Sequence, residues 1–233
     1  MRYAVIPAAG KGKRFGKKKQ FEKINGKTII QYTVEVFEKS EIIDKIVVVA
    51  PEDSVKDMAK ELEQFSKIEA IVKGGCERQS SVFNGLKAIE GKCNEVIVHD
   101  GVRPLTTQRM IKELFTAYQD YGVEGIITAV KPKDTIKVVG ANLEGKDSLV
   151  VKTLNREKLI LVQTPQLFNY EILYQCHKKA FEEGFWGTDD ASLLERYGYT
   201  VVAIEGDYKN IKITTPEDIE IFKIFLSQIE RFD

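Results

Sequence analysis

The amino-acid sequence predicts an α/β fold with a doubly wound, mostly parallel β-sheet. Short runs of β-branched and other apolar residues recur along the chain, and segments with helical periodicity separate them. The runs are continuously apolar, which is typical of strands buried on both faces of a sheet. Because each connection between parallel strands places a helix on the sheet, this alternation is the pattern that such a fold requires.

Six segments have the length and composition of buried strands: residues 3–8, 45–50, 68–73, 95–100, 125–130 and 200–205. Between the first three, the apolar residues of 29–37 fall on one helical face, and so do those of 55–65, which predicts two amphipathic helices. Further helices are expected at residues 79–89 and from Ala191 onward. The whole chain, residues 1–233, is expected to form a single domain.

Residues 131–156 break this alternation, and we call this segment the arm. It contains two β-like runs, 134–139 and 148–153, joined by a turn-rich stretch. An isolated two-stranded ribbon is marginally stable in water, so the arm is expected to pack on something outside its own strands. Two interpretations fit the sequence equally: contact with a partner subunit in a homodimer, and an antiparallel extension of the main sheet.

Composition and charge exclude several classes of protein. The 233 residues include 35 basic and 35 acidic side chains, and the resulting zero net charge argues against a strongly cationic nucleic-acid wrapper. The longest apolar runs are of strand length, far below the roughly 20 residues that cross a bilayer, so no membrane association is expected. At the N-terminus the apolar run precedes the basic cluster, the reverse of a secretory signal, so a cytoplasmic location is expected. Cys76, Cys93 and Cys176 have no CxxC spacing, which predicts neither a disulfide framework nor a zinc site.

A basic, glycine-containing loop follows the first predicted strand. Six of the nine residues from 11 to 19 are cationic, and small residues beside them let backbone N–H groups approach phosphate oxygens. Ligands of open α/β sheets bind at the carboxyl ends of strands, so this position suits a nucleoside triphosphate. Two familiar phosphate motifs do not fit. The dinucleotide fingerprint needs a glycine where Phe15 stands, and the spacing from Gly10 to Gly16 is one residue too long for a P-loop.

Other interpretations of this loop remain open. In one alternative, the glycines only form a tight turn and the lysines are solvated. The lysine run is also compatible with nonspecific nucleic-acid binding, but Phe15 and Phe21 are the only aromatic residues nearby for base stacking, so no nucleic-acid partner is expected. A catalytically idle nucleotide-binding module is a third alternative.

Several motifs resemble one family of enzymes. Ala8-Ala9-Gly10-x-Gly12-x-Arg14, followed by Lys19-Gln20-Phe21, is similar to the signature of sugar-nucleotide pyrophosphorylases and cytidylyltransferases. Further segments narrow the resemblance: GGCERQSSV at 74–82, HDGVRP at 99–104, QTPQLF at 163–168, TDDA at 188–191 and NIKITTPED at 210–218. Together they resemble the 2-C-methyl-D-erythritol 4-phosphate cytidylyltransferases of the non-mevalonate isoprenoid pathway, from residue 5 to residue 218.

The resemblance implies a nucleotide-diphospho-sugar transferase-like fold, CTP and a polyol phosphate as substrates, Mg²⁺ as cofactor, and a homodimer. The implied reaction transfers CMP from CTP to 2-C-methyl-D-erythritol 4-phosphate and releases pyrophosphate. The alternative is a related enzyme acting on ribitol 5-phosphate or another polyol phosphate. Those relatives typically have Ala-Gly-Gly where this chain has Ala8-Ala9-Gly10, and they lack the run at 188–192, so the methylerythritol enzyme is favoured.

The resemblance also implies roles for individual residues. The catalytic cations are Arg14, Lys19, Arg156 and Lys212. The nucleotide-binding residues are Pro7, Ala8, Ala9, Gly10, Gly12, Gly74, Gly75, Arg78, Ser81 and Asp100, and Asp100 is also the metal ligand. The residues expected to bind the polyol phosphate are Arg103, Thr135, Arg156, Thr188 and Lys212, with Arg156 and Thr135 presented to the neighbouring site of a dimer.

Structural alternatives accompany these assignments. The structural alternative for Arg156 is a surface ion pair with Glu157, which would contribute little to stability. The structural alternative for Lys212 is a lysine at the edge of a strand. Asp100 and Arg103 are alternatively a buried pair that fixes the following loop.

Three further positions carry expectations of their own. His99 is expected to be a hydrogen-bonded core histidine, because the implied reaction needs no proton transfer. Asp189 and Asp190 are expected to hold the polyol or to cap the helix that follows. Relatives usually have proline where this chain has Lys18, and its absence predicts a more mobile loop.

Overall fold

Strands and helices alternate over most of the chain in the computed structural model, which describes residues 1–10, 12, 15–142 and 148–229. The strands are β1 (Arg2–Pro7), β2 (Lys23–Ile24), β3 (Lys27–Thr28), β4 (Lys45–Ala50), β5 (Ile68–Lys73), β6 (Glu95–Val98), β7 (Gly125–Val130), β8 (Lys137–Asn142), β9 (Ser148–Thr153), β10 (Leu161–Asn169) and β11 (Val201–Glu205). The helices are α1 (Ile29–Glu38), α2 (Val55–Glu61), α3 (Arg78–Lys87), α4 (Gln108–Tyr121), α5 (Tyr170–Glu182), α6 (Asp190–Arg196) and α7 (Glu217–Ile229).

Seven strands form the central sheet, in the order β11-β7-β10-β6-β1-β4-β5. The pairs β1–β4, β1–β6, β4–β5 and β7–β11 are parallel, whereas β10 runs antiparallel to both of its neighbours. The predicted α/β fold with a mostly parallel sheet is therefore confirmed. All six predicted strands are present, with ends that differ from the predicted ones by at most two residues.

Strand β10 was not predicted from the sequence. Its middle carries Gln163, Thr164, Pro165 and Gln166, a polar run with a proline, and proline is normally excluded from central strands. In the structure the register of β10 against β7 shifts between Val162 and Gln166, so the proline lies at an irregularity in the ladder. The polar side chains are buried and hydrogen-bonded at the edge that forms the site.

Helices cover both faces of the sheet, as double winding requires. One core cluster combines residues of α3, α5 and α6 with the sheet, including Val82, Leu86, Leu173 and Leu193. The other combines α1, α2 and α4 with the opposite face, including Val34, Phe37, Met58 and Leu114. Their burial fixes the strand ends, and hence the site, on a rigid support.

A third core cluster ties the last helix to the basic loop. Phe222 of α7 packs in it with Phe15 and Ile213, all of them buried. The backbone N–H of Ile213 donates to Val102 O at 2.9 Å. These contacts bring Lys212, the residue before Ile213, beside the end of β6.

The arm contains the predicted pair of strands. Strands β8 and β9 form a separate two-stranded antiparallel sheet, so the alternative of an extension of the main sheet is wrong. Residues 143–147 of the predicted turn lie outside the described residues. Four apolar side chains of the ribbon, Val139, Leu149, Val150 and Val151, are 53–60% exposed.

Two further features of the structure concern its helices and its cysteines. No helix in the described part of the chain combines the length and the apolar composition needed to cross a bilayer. Cys76 is exposed, Cys93 and Cys176 are buried, and all three are free thiols in the structure.

Candidate active site

An open cleft with a cavity volume of about 280 Å³ lies at the carboxyl ends of β1, β5 and β6. This volume is close to the lower end of the range for ligand-binding pockets, about 300 Å³. We call it the first cleft, and ten of the predicted site residues line it: Pro7, Ala8, Ala9, Gly10, Lys19, Gly75, Arg78, Ser81, Asp100 and Lys212. Four lining residues had no predicted role: Gln20, Cys76, Glu77 and Val102. Because neighbouring parallel strands end at one edge, motifs distant in sequence meet here.

Gln20 holds the start of the basic loop. Its side chain is buried, and Nε2 donates to Ala8 O at 2.9 Å and to Gly10 O at 3.3 Å. Gly12 has a φ of +64°, and a Cβ there would lie 1.9 Å from Lys17 O. Only glycine fits that position without moving the backbone. The loop thus closes on itself behind the residues that line the cleft.

The lysines of the loop differ in position. Lys19 lines the first cleft, and its Nζ donates to Ile213 O at 2.5 Å. Lys17 does not line the cleft, and it pairs with Glu22 at 2.6 Å. Arg14, the other predicted catalytic cation of this loop, lies outside the described residues.

Lys18 anchors the loop to the turn that follows β4. Its Nζ lies 2.8 Å from Asp53 Oδ2 and 2.6 Å from Ser54 Oγ. An ion pair and a hydrogen bond thus hold the position where the sequence predicted greater mobility.

The glycine pair after β5 packs directly against the basic loop. A Cβ on Gly74 would lie 2.2 Å from Ala9 Cβ and 2.9 Å from Ser81 Oγ, so a larger residue would push the two loops apart. The N–H of Gly75 donates to Ser81 Oγ at 3.1 Å, and that hydroxyl donates to Glu77 O at 2.9 Å. Ser81 therefore sets the path of the chain along one wall of the first cleft.

Asp100 is surrounded by three cations. Its Oδ1 lies 3.0 Å from Arg78 Nε, and its Oδ2 lies 2.8 Å from Lys212 Nζ and 3.6 Å from Arg103 Nε. Burial by itself would raise the pKa of the carboxyl, but the charges of Arg78, Lys212 and Arg103 outweigh burial and hold the pKa well below its usual range. The carboxylate is therefore ionised at every physiological pH. The alternative of an Asp100–Arg103 pair alone is incomplete, because Arg78 and Lys212 lie closer.

A second buried carboxylate holds the other side of Arg78. Arg78 Nη1 lies 2.7 Å from Asp190 Oδ2, and His177 Nε2 lies 3.0 Å from Asp190 Oδ1. Burial opposes ionisation of Asp190, but the charge of Arg78 lowers the carboxyl pKa below its ordinary value. Asp189, by contrast, caps α6 by accepting from Ser192 N at 3.0 Å. Of the two expectations for this acidic pair, capping is thus confirmed for Asp189, and Asp190 orients Arg78.

His99 is a buried structural residue, as the sequence predicted. Its Nε2 lies 3.1 Å from Arg103 O, and its Nδ1 lies 3.1 Å from Thr164 Oγ1. Since a carbonyl only accepts, Nε2 carries the proton and Nδ1 accepts from the threonine hydroxyl. The N–H of Asp100 in turn donates to Thr164 Oγ1 at 3.0 Å. Burial lowers the pKa of His99 to about 4, so the ring is neutral and serves to fix the segment that carries Asp100 and Arg103.

A second cleft adjoins the first. Its lining includes the predicted residues Arg103 and Thr188, together with Gln163, Gln166 and Asp189. Three cleft residues are common to both clefts: Arg78, Asp100 and Lys212. The two clefts therefore meet at a boundary with a buried carboxylate and two cations.

Arg156 and Thr135 are not brought to this site within the chain. Neither residue lines the first or the second cleft, and both are exposed. Arg156 Nη1 donates to Lys133 O at 2.7 Å. The alternative partner, Glu157, lies 4.0 Å from Lys131 Nζ.

Among the described residues that line both clefts, Asp100 is the one carboxylate that could bind a metal ion. Within the described residues, no group of three or more His, Cys, Asp or Glu side chains is arranged to hold one. Mg²⁺ is commonly bound by one or two carboxylates together with substrate phosphates, and a lone Asp100 at the boundary of a cationic cleft fits that mode. It does not fit a metal site formed by protein ligands alone.

Two solved structures that are similar to this chain are enzymes of one class. The chain superposes on 4-diphosphocytidyl-2C-methyl-D-erythritol synthase from Anaerococcus prevotii with a TM-score of 0.83 at 32% identity, covering 97% of this chain and 96% of that one. It superposes on 2-C-methyl-D-erythritol 4-phosphate cytidylyltransferase from Francisella tularensis with a TM-score of 0.81 at 34% identity, covering 95% and 98%. The sheet, with its cationic clefts at the strand ends, is that of an α/β nucleotidyltransferase.

Sequence comparison narrows this class to a family. The family model for 2-C-methyl-D-erythritol 4-phosphate cytidylyltransferase matches residues 3–228. The enzyme of that name from Clostridium kluyveri is 46% identical over 224 residues, 94% of each chain, and that from Geobacter metallireducens is 43% identical over 235 residues, 97% of each. The chain belongs to the 2-C-methyl-D-erythritol 4-phosphate cytidylyltransferase family.

Proposed function

We propose that this protein transfers CMP from CTP to 2-C-methyl-D-erythritol 4-phosphate, giving 4-diphosphocytidyl-2-C-methyl-D-erythritol and pyrophosphate in the non-mevalonate isoprenoid pathway. Family membership supports the reaction. The structural observation that carries it is the junction of two clefts at Lys212 and Arg78. A reaction between two phosphate anions needs two anion sites that meet at fixed cations, and this junction has that form.

In this proposal the first cleft binds CTP. The backbone of residues 7–10 faces the triphosphate, Lys19 neutralises its charge, and Arg14 joins Lys19 in that role. Gly74, Gly75 and Ser81 form the wall that holds the base. A Cβ on Gly74 would lie 2.2 Å from Ala9 Cβ, so glycine is needed there to keep this wall against the basic loop. The wrong base would leave polar groups of this wall without hydrogen-bond partners, and the cost of those unpaired groups discriminates against it.

The second cleft holds the polyol phosphate. Arg103 and Lys212 supply positive charge for its phosphate, and Thr188 contacts a substrate hydroxyl. Arg103 is fixed for this task, because its Nη1 donates to Asn210 O at 2.7 Å. Arg78 has its guanidinium held by Asp100 and Asp190 and so remains in place when ligands arrive.

The chemistry needs no general base, because the attacking phosphate oxygen is already an anion. The oxygen forms a bond to the α-phosphorus of CTP as the bond from that phosphorus to the bridging oxygen breaks, and pyrophosphate leaves with the electron pair. Lys212 and Lys19 stabilise the charge that accumulates on the equatorial and leaving oxygens. Catalysis then consists of in-line positioning and charge neutralisation, which explains why the buried, neutral His99 takes no part.

Mg²⁺ is proposed to enter with the triphosphate, and when bound it would neutralise phosphate charge. Asp100 is the residue that would hold it. Asp100→Asn is expected to raise the Mg²⁺ concentration needed for half-maximal rate by about tenfold, the effect of losing a ligand or its support. An unchanged Mg²⁺ dependence would remove Asp100 from this role.

A homodimer formed through the arm is proposed as well. The exposed side chains Val139, Leu149, Val150 and Val151 give the ribbon an apolar surface of the kind that subunit contacts bury. Arg156 and Thr135 at its base would then reach the partner's second cleft. Deletion of residues 134–153, or Leu149→Asp alone, is expected to give monomers, as measured by light scattering. These monomers should also have low activity in the pyrophosphate-release assay. Lys152→Glu on the same strand is the control and should leave the dimer intact. A wild-type protein that is monomeric at micromolar concentration would refute this arrangement.

A cytoplasmic location belongs to the same proposal and follows from a pathway with phosphorylated, soluble substrates.

The direct test is pyrophosphate release with CTP and 2-C-methyl-D-erythritol 4-phosphate. We expect turnover with this pair, and at least a hundredfold lower kcat/KM with ribitol 5-phosphate, a difference of about 2.7 kcal/mol in transition-state binding. No release above the blank from folded protein that still binds CTP would refute the proposed function. Preference for ribitol 5-phosphate would instead support the alternative polyol substrate.

A further inference from the structure

Gln79 connects α3 to the loop that precedes α6. Its carboxamide Nε2 donates to Phe185 O at 2.9 Å, and its Oε1 accepts from Gly187 N at 2.8 Å. One side chain thus satisfies both a carbonyl and an N–H of a segment that belongs to no helix or strand. The carboxamide of glutamine can do this because it offers a donor and an acceptor on one planar group.

The other end of this loop is fixed by α6. Asp189 accepts from Ser192 N at 3.0 Å, and the Ser192 hydroxyl donates to Asp189 O at 2.7 Å. Gly187 packs so closely that a Cβ on it would lie 2.5 Å from Ser192 Oγ. Thr188 therefore stands between two anchored residues, Gly187 held by Gln79 and Asp189 held by the helix cap.

Thr188 lines the second cleft, whereas Gln79 lines neither cleft. We propose that Gln79 is a positioning residue, which holds residues 185–187 so that Thr188 is presented to the polyol phosphate. This inference rests on the proposed function, because it takes the second cleft as the polyol site. The preceding residue, Arg78, forms ion pairs with Asp100 and Asp190. One turn of α3 therefore supports both clefts through two different side chains.

The proposal predicts a selective effect on one substrate. Gln79→Leu removes both hydrogen bonds at nearly constant volume, and Gln79→Glu keeps the acceptor but places a carboxylate oxygen against Phe185 O. The wall that binds CTP depends on Gly74, Gly75 and Ser81 and is untouched. Each variant is expected to raise KM for 2-C-methyl-D-erythritol 4-phosphate about tenfold, the effect of losing one or two neutral hydrogen bonds, with KM for CTP within twofold of wild type.

Trp186 reports on the loop independently of catalysis. It is the only tryptophan of the chain, it lies between the two residues that Gln79 contacts, and it is 50% exposed. Loosening of the loop is therefore expected to increase acrylamide quenching of its fluorescence in both variants. Gln175→Leu is the matched control, since Gln175 is an exposed glutamine that bonds Glu171 on its own helix. It should change neither quenching nor either KM.

The coupling to Thr188 is tested with Thr188→Val and the double variant Gln79→Leu/Thr188→Val. If Gln79 acts through Thr188, the double variant has a KM for the polyol phosphate close to that of Thr188→Val alone. If the two substitutions instead had multiplicative effects on the KM for the polyol phosphate, the inference would be overturned. An equal rise in the KM values for CTP and for the polyol phosphate, together with a lowered Tm, would show a merely structural role and would also overturn it. Unchanged quenching in both Gln79 variants would overturn it too. Failure of the proposed function looks different: wild type then releases no pyrophosphate, while quenching still decides whether Gln79 holds the loop.

Discussion

Lys212 Nζ lies 2.8 Å from Asp100 Oδ2 at the boundary of the two clefts. The Lys212 side chain remains 40% exposed, whereas the carboxylate is buried and has Arg78 as a further partner. A phosphate that enters the cleft can therefore bind the Lys212 ammonium group, while Arg78 still neutralises the charge of Asp100. This pairing holds Lys212, the proposed catalytic cation, in place before the substrates bind.

The first prediction concerns Lys212. Lys212→Met is expected to lower kcat by about 10²–10³, the usual effect of losing one oriented charge-stabilising group at a transition state. The rate of pyrophosphate release at saturating substrates measures it. Lys223→Met is the matched control, because Lys223 is half-exposed on α7 and pairs with nearby Glu220 on the same helix.

Near-normal kcat in Lys212→Met, in protein whose Tm matches wild type, would show that the shared cation does not act on the reacting phosphates.

The second prediction separates the lysines of the basic loop. Lys19→Ala is expected to lower kcat/KM for CTP by about 10²-fold or more, because Lys19 lines the first cleft. Lys17→Ala should leave the rate close to wild type, since Lys17 pairs with Glu22 away from the cleft. Equal losses in the two variants would instead indicate a diffuse electrostatic effect of the lysine run, which added salt would also weaken. Arg14→Ala is expected to resemble Lys19→Ala on the basis of the sequence motif.

The sequence predicted the parts of this molecule whose signals are local. Continuously apolar runs predicted β1, β4 and β5, because strands buried on both faces need no polar alternation. The motif residues at their carboxyl ends, Lys19 and Arg78 among them, follow from family resemblance and meet in one cleft. Strand β10 was missed because its polar, proline-containing middle has the composition of a loop.

Contacts between distant segments left no such signal. Nothing local indicates that Gln79 reaches Phe185, or that Asp190 takes Arg78 while its neighbour Asp189 caps a helix. Two adjacent aspartates have the same propensities, and the helical phase set by packing decides which one points to the core. Lys18 shows the reverse case, in which a predicted gain in mobility is opposed by its contacts with Asp53 and Ser54.

The third prediction is a dependence of stability on pH through His99. Burial lowers its pKa from 6.5 to about 4, so between those pH values the unfolded state binds more protons than the folded state. Stability is therefore lost as pH falls through this window. Between pH 6.5 and 5, the free energy of unfolding is expected to fall by about 1.5 kcal/mol from this group.

Urea unfolding at a series of pH values measures this slope. In His99→Gln the slope between pH 6.5 and 5 should be shallower, whatever the loss of stability at pH 7. The same slope in the variant and in wild type would mean that His99 titrates normally and that its buried hydrogen bonds to Thr164 and Arg103 do not keep it neutral.

The fourth prediction uses a thiol to locate the nucleotide. Cys76 is exposed and lines the first cleft, whereas burial raises the pKa of Cys93 to about 12 and that of Cys176 to about 11. Iodoacetamide at pH 8 is therefore expected to label Cys76 alone, because only thiolates react and the other two are buried and protonated. CTP with Mg²⁺ at ten times its Kd should slow labelling about tenfold, in proportion to the free cleft that remains. Peptide mapping by mass spectrometry measures the rate, Cys76→Ser supplies the unlabelled control, and an oligonucleotide should give no protection. Labelling of Cys76 at an undiminished rate under saturating CTP would place the nucleotide elsewhere on the protein.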